Sequence, residues 1–253
     1  MKLFILSLFA YLLTSVAAQA SVRSDVAVLE ASEGIQSLSQ QMAKDYLLYC
    51  IYPAKQTSVA KINDDLKELN EHIKKISLNS SDPKTKMILS YFTTQNEVIR
   101  ELLDKGSSTE SILDMVEISD VLSEGAQSIA SRHQYPFNDE ERMLMLTKKL
   151  ATLFGSLVKY YMVSCINPSD KIALDAIKKT ETEIDAKIDI LNAYEYVGDA
   201  IADKTSINKS WNVLRNYARR VNQVNVPALL SILGDHIQSS LYDLGIYHSR
   251  NQQ

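Results

Sequence analysis

Two cysteines, four histidines and thirteen tyrosines are the residues of this 253-residue chain from which a chemical site could be assembled. Cys50 and Cys165 open matching runs, Cys-Ile-Tyr-Pro at 50–53 and Cys-Ile-Asn-Pro at 165–168, at an interval of 165 − 50 = 115. In an oxidising compartment such a pair either forms a disulfide or packs as two apolar thiols at a repeated core position, and both readings stand. The histidines, His72, His133, His236 and His248, fall in none of the spacings that hold zinc. Isolated imidazoles and no metal are expected. The chain has neither a Gly-rich phosphate loop nor a Gly-x-Ser-x-Gly elbow. The acidic pairs Asp64-Asp65 and Glu140-Glu141 lie in hydrophilic or helix-opening contexts, where solvation and the helix dipole account for them. No catalytic constellation results, so neither enzymatic activity nor a cofactor is expected. Tyr46, Tyr49, Tyr52, Tyr160 and Tyr161 gather near the ends of two matching segments. They either line a pocket or, more simply, plug helix ends with their hydroxyls toward water.

The elements that carry these residues read as helices throughout. Seven Gly and five Pro are few for a chain of sheets and turns. Leu38, Met42, Tyr46 and Tyr49 form one helical face of a first helix over about Ser24 to Tyr52, which Pro53 interrupts. Val59, Ile62, Leu66, Leu69, Ile73 and Ile76 follow steps of three and four, a bundle-type seam. Asp82-Pro83 predicts an N-cap with proline in the first turn, and Ser107 with Glu110 predicts a capping box. The plan then repeats. Asn138 with Glu141 caps a fifth helix, Asn167-Pro168 stops it, and Pro227 opens the eighth. Short connections make neighbouring helices antiparallel, so the expected fold is all-α: two tandem up-down-up-down four-helix bundles, 24–133 and 139–250. Besides the cysteine runs, Ser111-Ile112-Leu113 echoes as Ser231-Ile232-Leu233, and Tyr91 is set beside Trp211, both at an interval of 120.

Residues 1–20 read as a cleaved export signal. Lys2 begins it, Leu3 to Val16 is apolar, and Ala18-Gln19-Ala20 has the small-x-small form of a cleavage site. The remainder contains no second long apolar run, so a periplasmic protein that does not span the membrane after cleavage is expected. A net charge of −4 with both signs interspersed argues against nucleic-acid binding.

The run Leu38-Ser39-Gln40-Gln41-Met42-Ala43-Lys44 resembles the first helix of the type IV pili methyl-accepting chemotaxis transducer N-terminal domain family, the PilJ-type sensor module. Met145 to Ala151 reads as its second copy. The resemblance implies an extracytoplasmic helical bundle that perceives a signal. In related nitrate sensors an arginine of this run binds an anion. Here Gln36 and Leu144 stand at that position, with Gln41 and Lys149 at a second one. Arg142, Lys148 and Lys149 could form a substitute basic site, although residues 148 and 149 diverge by about 100° on a helix and read more simply as solvated charge.

The resemblance therefore implies a binding site for a small polar ligand or anion near Gln36, Ser39 and Gln40 or near Arg142 and Thr147. Signalling would need a separate partner such as a membrane receptor. The alternative is a protein–protein or envelope-associated module with no small ligand.

Overall fold

A computed structural model of the chain describes residues 2–53 and 57–252, with side chains described over 24–53 and 58–252. Met1 and the side chains of the expected export segment lie outside the described residues. Those described form eight helices and no strand: α1 (Lys2–Ile51), α2 (Thr57–Asn79), α3 (Pro83–Lys105), α4 (Thr109–Ala130), α5 (Asp139–Ile166), α6 (Lys171–Ala193), α7 (Ala200–Ala218) and α8 (Pro227–Asn251). Among the described residues no helix is long and apolar enough to cross a membrane.

The helix boundaries follow from local chemistry. Asp82 caps α3 by accepting from the Thr85 amide, and Pro83 supplies a first-turn residue that has no amide to satisfy. Asn138 and Glu141 complete a reciprocal capping box at α5. The cap of α4 is Ser108, not Ser107. Its hydroxyl accepts from the Ser111 amide at 3.0 Å, which leaves Glu110 one position short of closing a box.

Packing is pairwise, and α1 also packs on α5 and α8, with Leu47 and Leu48 joining the core of the second half. α1 and α3 each pack on α2 and α4, while α5 and α7 each pack on α6 and α8. Ile35, Leu69, Phe92 and Leu122 are fully buried in the first half, and Leu150, Ile184, Ile207 and Ile237 are fully buried in the second. Each of the latter stands 115 residues after its counterpart. Removal of these apolar surfaces from water, at about 25 cal/mol per Å², is what holds the helices together.

This uniform interval corrects three expectations. Asn96 donates to Asn70 across α3 and α2 at 2.8 Å, and Trp211 donates to Asp185 across α7 and α6 at 3.0 Å. Trp211 thus corresponds to Asn96, not to Tyr91. Met115, Leu122 and Ile129 of α4 correspond to Leu230, Ile237 and Leu244 of α8, so the Ser-Ile-Leu echo at 120 is out of register. The structural counterpart of Leu38–Lys44 is Leu153–Lys159, whereas matching Gln36 with Leu144 and Gln41 with Lys149 used an interval of 108, one heptad short of 115. A one-heptad slip preserves an apolar stripe, so the stripe alone could not fix the register.

The two halves meet along α1 and α5, which run in the same direction. Glu33 neighbours Lys148 and Lys149, and farther along Gln40 lies against Gly155, where an added Cβ would stand 3.0 Å from that of Gln40. Three ion pairs cross between the halves among the described residues, one of them Lys61 of α2 to Asp235 at 3.6 Å, and the other two are made by buried lysines. Lys44 of α1 binds Asp235 of α8, and Lys159 of α5 binds Asp120 of α4 at 2.5 Å. Exchanging the halves by 115 residues maps the Lys44 and Lys159 pairs onto one another. Both lysines are buried, at 1% and 0% exposure.

Cys50 and Cys165 occupy equivalent positions on these parallel helices, and both are free thiols. Each lies beside the tyrosine one turn earlier in its own helix, Tyr46 or Tyr161. Burial raises each thiol to about 11, with the tyrosine hydrogen bond opposing. The two tyrosines are fully buried, and their hydroxyls donate to backbone carbonyls (Gly106 and Val224) rather than facing water.

Candidate functional site

A helix-helix seam with long polar side chains along its margins leaves a groove on either side. The larger groove has a volume of about 600 Å³ and lies between α1, α4, α5 and α6. The heptad phase of α5 supplies its cationic wall: Arg142, Met145, Leu146 and Lys149 share one face, so two cations flank an apolar middle. Lys187 comes from α6, Gln36 and Glu33 come from α1, and Tyr135 and Phe137 come from the connection before α5. Those two rings stack edge to face with centroids 4.6 Å apart, and the Tyr135 hydroxyl donates to Glu141 at 3.0 Å.

Gln36 is the deepest polar residue of this groove. It is 1% exposed, and among the described residues its amide nitrogen makes no hydrogen bond within 3.5 Å, although its side chain faces the Glu33 carboxyl closely enough to pull that pKa down. A buried donor left unpaired costs about 1–3 kcal/mol, so this position favours an acceptor. Oε2 of Glu33 is likewise without a partner. Burial pushes the Glu33 carboxyl above the usual carboxylate range, and Lys149, the Gln36 side chain, Lys148 and Lys187 oppose that shift in descending order. At the rim the exposed Arg142 pairs with Asp139 one turn back. Lys187 lies 3.8 Å from Glu183. Lys149 makes no ion pair within 4.0 Å among the described residues.

The smaller groove, about 360 Å³, flanks the opposite side of the seam. Several of its lining residues are counterparts of those in the larger groove, with different chemistry. Glu30, Gly34, His72 and Tyr242 stand where the larger groove has Met145, Lys149, Lys187 and Gln127. Its half-buried Lys148 is held below the usual lysine range by burial, with Glu30 and Glu33 opposing and Lys75 reinforcing.

The structure brings together Gln36 and Arg142, which both line the larger groove. Thr147 lines the smaller one and donates to the Leu144 carbonyl at 2.8 Å. Ser39 and Gln40 are packed away from both grooves. Ser39 donates to the Gln36 carbonyl at 2.9 Å, and Gln40 donates to the Ser119 carbonyl at 3.2 Å. Lys148 and Lys149 are half-buried rather than freely solvated, and their divergence around the helix sends one to each groove. Lys187 and Glu33 were not anticipated. For Lys149, the signal was its heptad spacing from Arg142 across Met145 and Leu146. Among the described residues no group of three or more His, Cys, Asp or Glu side chains could hold a metal ion. Comparison with family models, with curated proteins and with solved structures finds no match to this chain.

Proposed function

We propose that this is a non-catalytic, exported binding protein of sensor type, built as two tandem up-down-up-down four-helix bundles that seat a small polar ligand or anion beside their seam. The single observation that carries the ligand reading is the buried Gln36 amide nitrogen, which makes no full hydrogen bond among the described residues and has only the Glu33 carboxyl beside it, in a 600 Å³ groove also lined by Arg142, Lys149 and Lys187. An anion supplies the missing acceptor, and cations on two helices supply the attraction. The tandem arrangement is supported by the recurrence of buried positions, polar contacts and cross-seam ion pairs at one interval. The likeness to PilJ-type modules is part of this proposal and rests on Leu38 to Lys44 of the first half.

Thermal melting with a panel of oxyanions and small carboxylates tests the ligand reading. A ligand at 100 times its Kd stabilises the fold by about 2.7 kcal/mol. The expected result is a shift with at least one anion that is lost in Gln36→Leu. A panel that leaves both proteins unshifted refutes the reading.

A further inference from the structure

The larger groove has a shape and a charge layout that narrow its ligand class. Its volume, about 600 Å³, falls in the range of about 300–1,000 Å³ typical of pockets for organic ligands. A lone inorganic oxyanion would leave most of it empty. The cations are also spread along the groove rather than focused on one point. Arg142 and Lys149 stand seven positions apart on α5, so their backbones are separated by about 10 Å along the helix axis. Between them on the same face lie Met145, half-buried, and Leu146, buried. Leu29 of α1 adds to this apolar stretch. Lys187 approaches from α6 on the side of Glu33 and Lys149.

We infer that the groove takes an elongated organic dianion, with one anionic group toward Arg142, the other toward Lys149, Lys187 and the Gln36 amide, and an apolar body lying across Met145 and Leu146. This inference rests on reading the groove as the ligand site and adds the requirement for two separated charges. The guanidinium of Arg142 already pairs with Asp139, but its planar fork has five donors and can serve a second carboxylate. Lys149 carries its charge on a flexible stem and makes no ion pair within 4.0 Å among the described residues, its main charge neighbour being the Glu33 carboxyl, so it can meet the inner anionic group. Glu33 sits at that inner end as the acidic neighbour. Glu141 and Asp139 are the acidic groups nearest the rim residues, and each is already engaged, with Tyr135 and Arg142 respectively. The inner end is therefore selective. An anion there must displace none of the existing pairs, whereas a cationic group would meet three lysines, Lys148, Lys149 and Lys187, around one carboxylate.

The experiment is isothermal titration of the folded chain with nitrate, sulfate, a series of α,ω-dicarboxylates from succinate to sebacate, and monocarboxylates of matched length. Each is repeated on Lys149→Gln, Arg142→Gln and Gln36→Leu, with circular dichroism confirming that the variants stay helical. The expected result is an affinity maximum at an intermediate dicarboxylate that exceeds its matched monocarboxylate by about tenfold. Lys149→Gln and Arg142→Gln should each remove about that factor and erase the advantage of the diacid. If nitrate or sulfate binds as tightly as the best dicarboxylate and loses affinity in Gln36→Leu, the site stands and the two-charge requirement falls. Affinity independent of dicarboxylate length overturns it likewise. If nothing in the panel binds, the site itself falls and this inference with it.

Discussion

Nδ1 of His248 lies 2.7 Å from a carboxylate oxygen of Glu140, and the same contact recurs 115 residues earlier between His133 and Asp25 at 2.8 Å. In each half the C-terminal end of the last helix region is thereby tied to the first helix. The second ring nitrogen is engaged as well, by the Tyr196 hydroxyl at 3.0 Å for His248 and by the Ser80 hydroxyl at 3.3 Å for His133. His248 is completely buried, and its ring also packs against Tyr194, Tyr196 and Tyr247. We predict that His248→Ala lowers stability by about 3–4 kcal/mol, the cost of a cavity together with two stranded polar groups. His133→Ala should cost about 1–2 kcal/mol, because its charged partner Asp25 is 31% exposed and can be solvated. Urea unfolding of the two variants measures both, and equal losses would contradict the assignment.

Asp65 gives the fold a pH dependence. Its Oδ2 has no hydrogen-bond partner, and burial, with Asp45 and Glu68 adding, pushes its carboxyl from 3.8 up to about 7 against the pull of Lys44 and Lys61. A carboxyl that holds its proton more tightly when folded favours the fold at low pH, and that contribution is lost as pH rises through about 7. Asp65→Asn should match the parent near pH 4 and exceed its stability at pH 8 by about 1–3 kcal/mol. Denaturant midpoints across that range provide the check.

The crossed ion pairs should respond unequally to loss of their two ends. Asp120→Ala leaves the Lys159 ammonium fully buried with the Ser119 hydroxyl at 3.0 Å and the Tyr160 ring 4.4 Å away but no counter-charge, which should cost about 3–5 kcal/mol. Lys159→Met leaves Asp120, which is 35% exposed and still accepts from Tyr160 at 2.7 Å, so stability should stay within about 1 kcal/mol of the parent. Asp235→Ala should be milder than Asp120→Ala, because Asp45 remains 3.5 Å from Lys44. Equilibrium unfolding of the three variants tests this ranking.

Gly155 sets how closely α1 and α5 approach. Its missing Cβ would press on Gln40 at 3.0 Å, whereas one at Gly245 would meet Thr147 at 3.5 Å. Gly155→Ala is expected to lower the melting temperature through about 1–3 kcal/mol of overpacking, and Gly245→Ala to be neutral or slightly stabilising. A calorimetric comparison of the two separates crowding from helix propensity.

Helices were legible in the sequence because their punctuation is chemical. Asp82-Pro83, Asn138 with Glu141, Asn167 and Pro227 each satisfy or lack a specific backbone group, and each marks a helix end in the structure. Register was less legible, because a heptad slip or a chance tripeptide leaves an apolar stripe unchanged. The run at 145–151 and the Ser-Ile-Leu echo were misaligned for that reason. The polar positions would have fixed the interval. Lys44 and Lys159, Asp120 and Asp235, and His133 and His248 all keep it, and none is required by an apolar stripe. Of the candidate site, Gln36 with Ser39 and Gln40, or Arg142 with Thr147, were the alternative places, whereas Gln36 and Arg142 line one groove, and Ser39 and Gln40 could not be told from groove residues. Whether a small polar side chain faces a groove or bonds a neighbouring carbonyl depends on how α1 rotates against α4 and α5.

The two grooves carry a last consequence. A pair of identical subunits related by a twofold axis must present the same residues on both flanks of its interface, so any ligand specificity acquired there appears twice. Joining the subunits in one polypeptide lifts that obligation. One flank carries Lys149 and Lys187 where the other holds Gly34 and His72, so the two sides of this single chain present different chemistry.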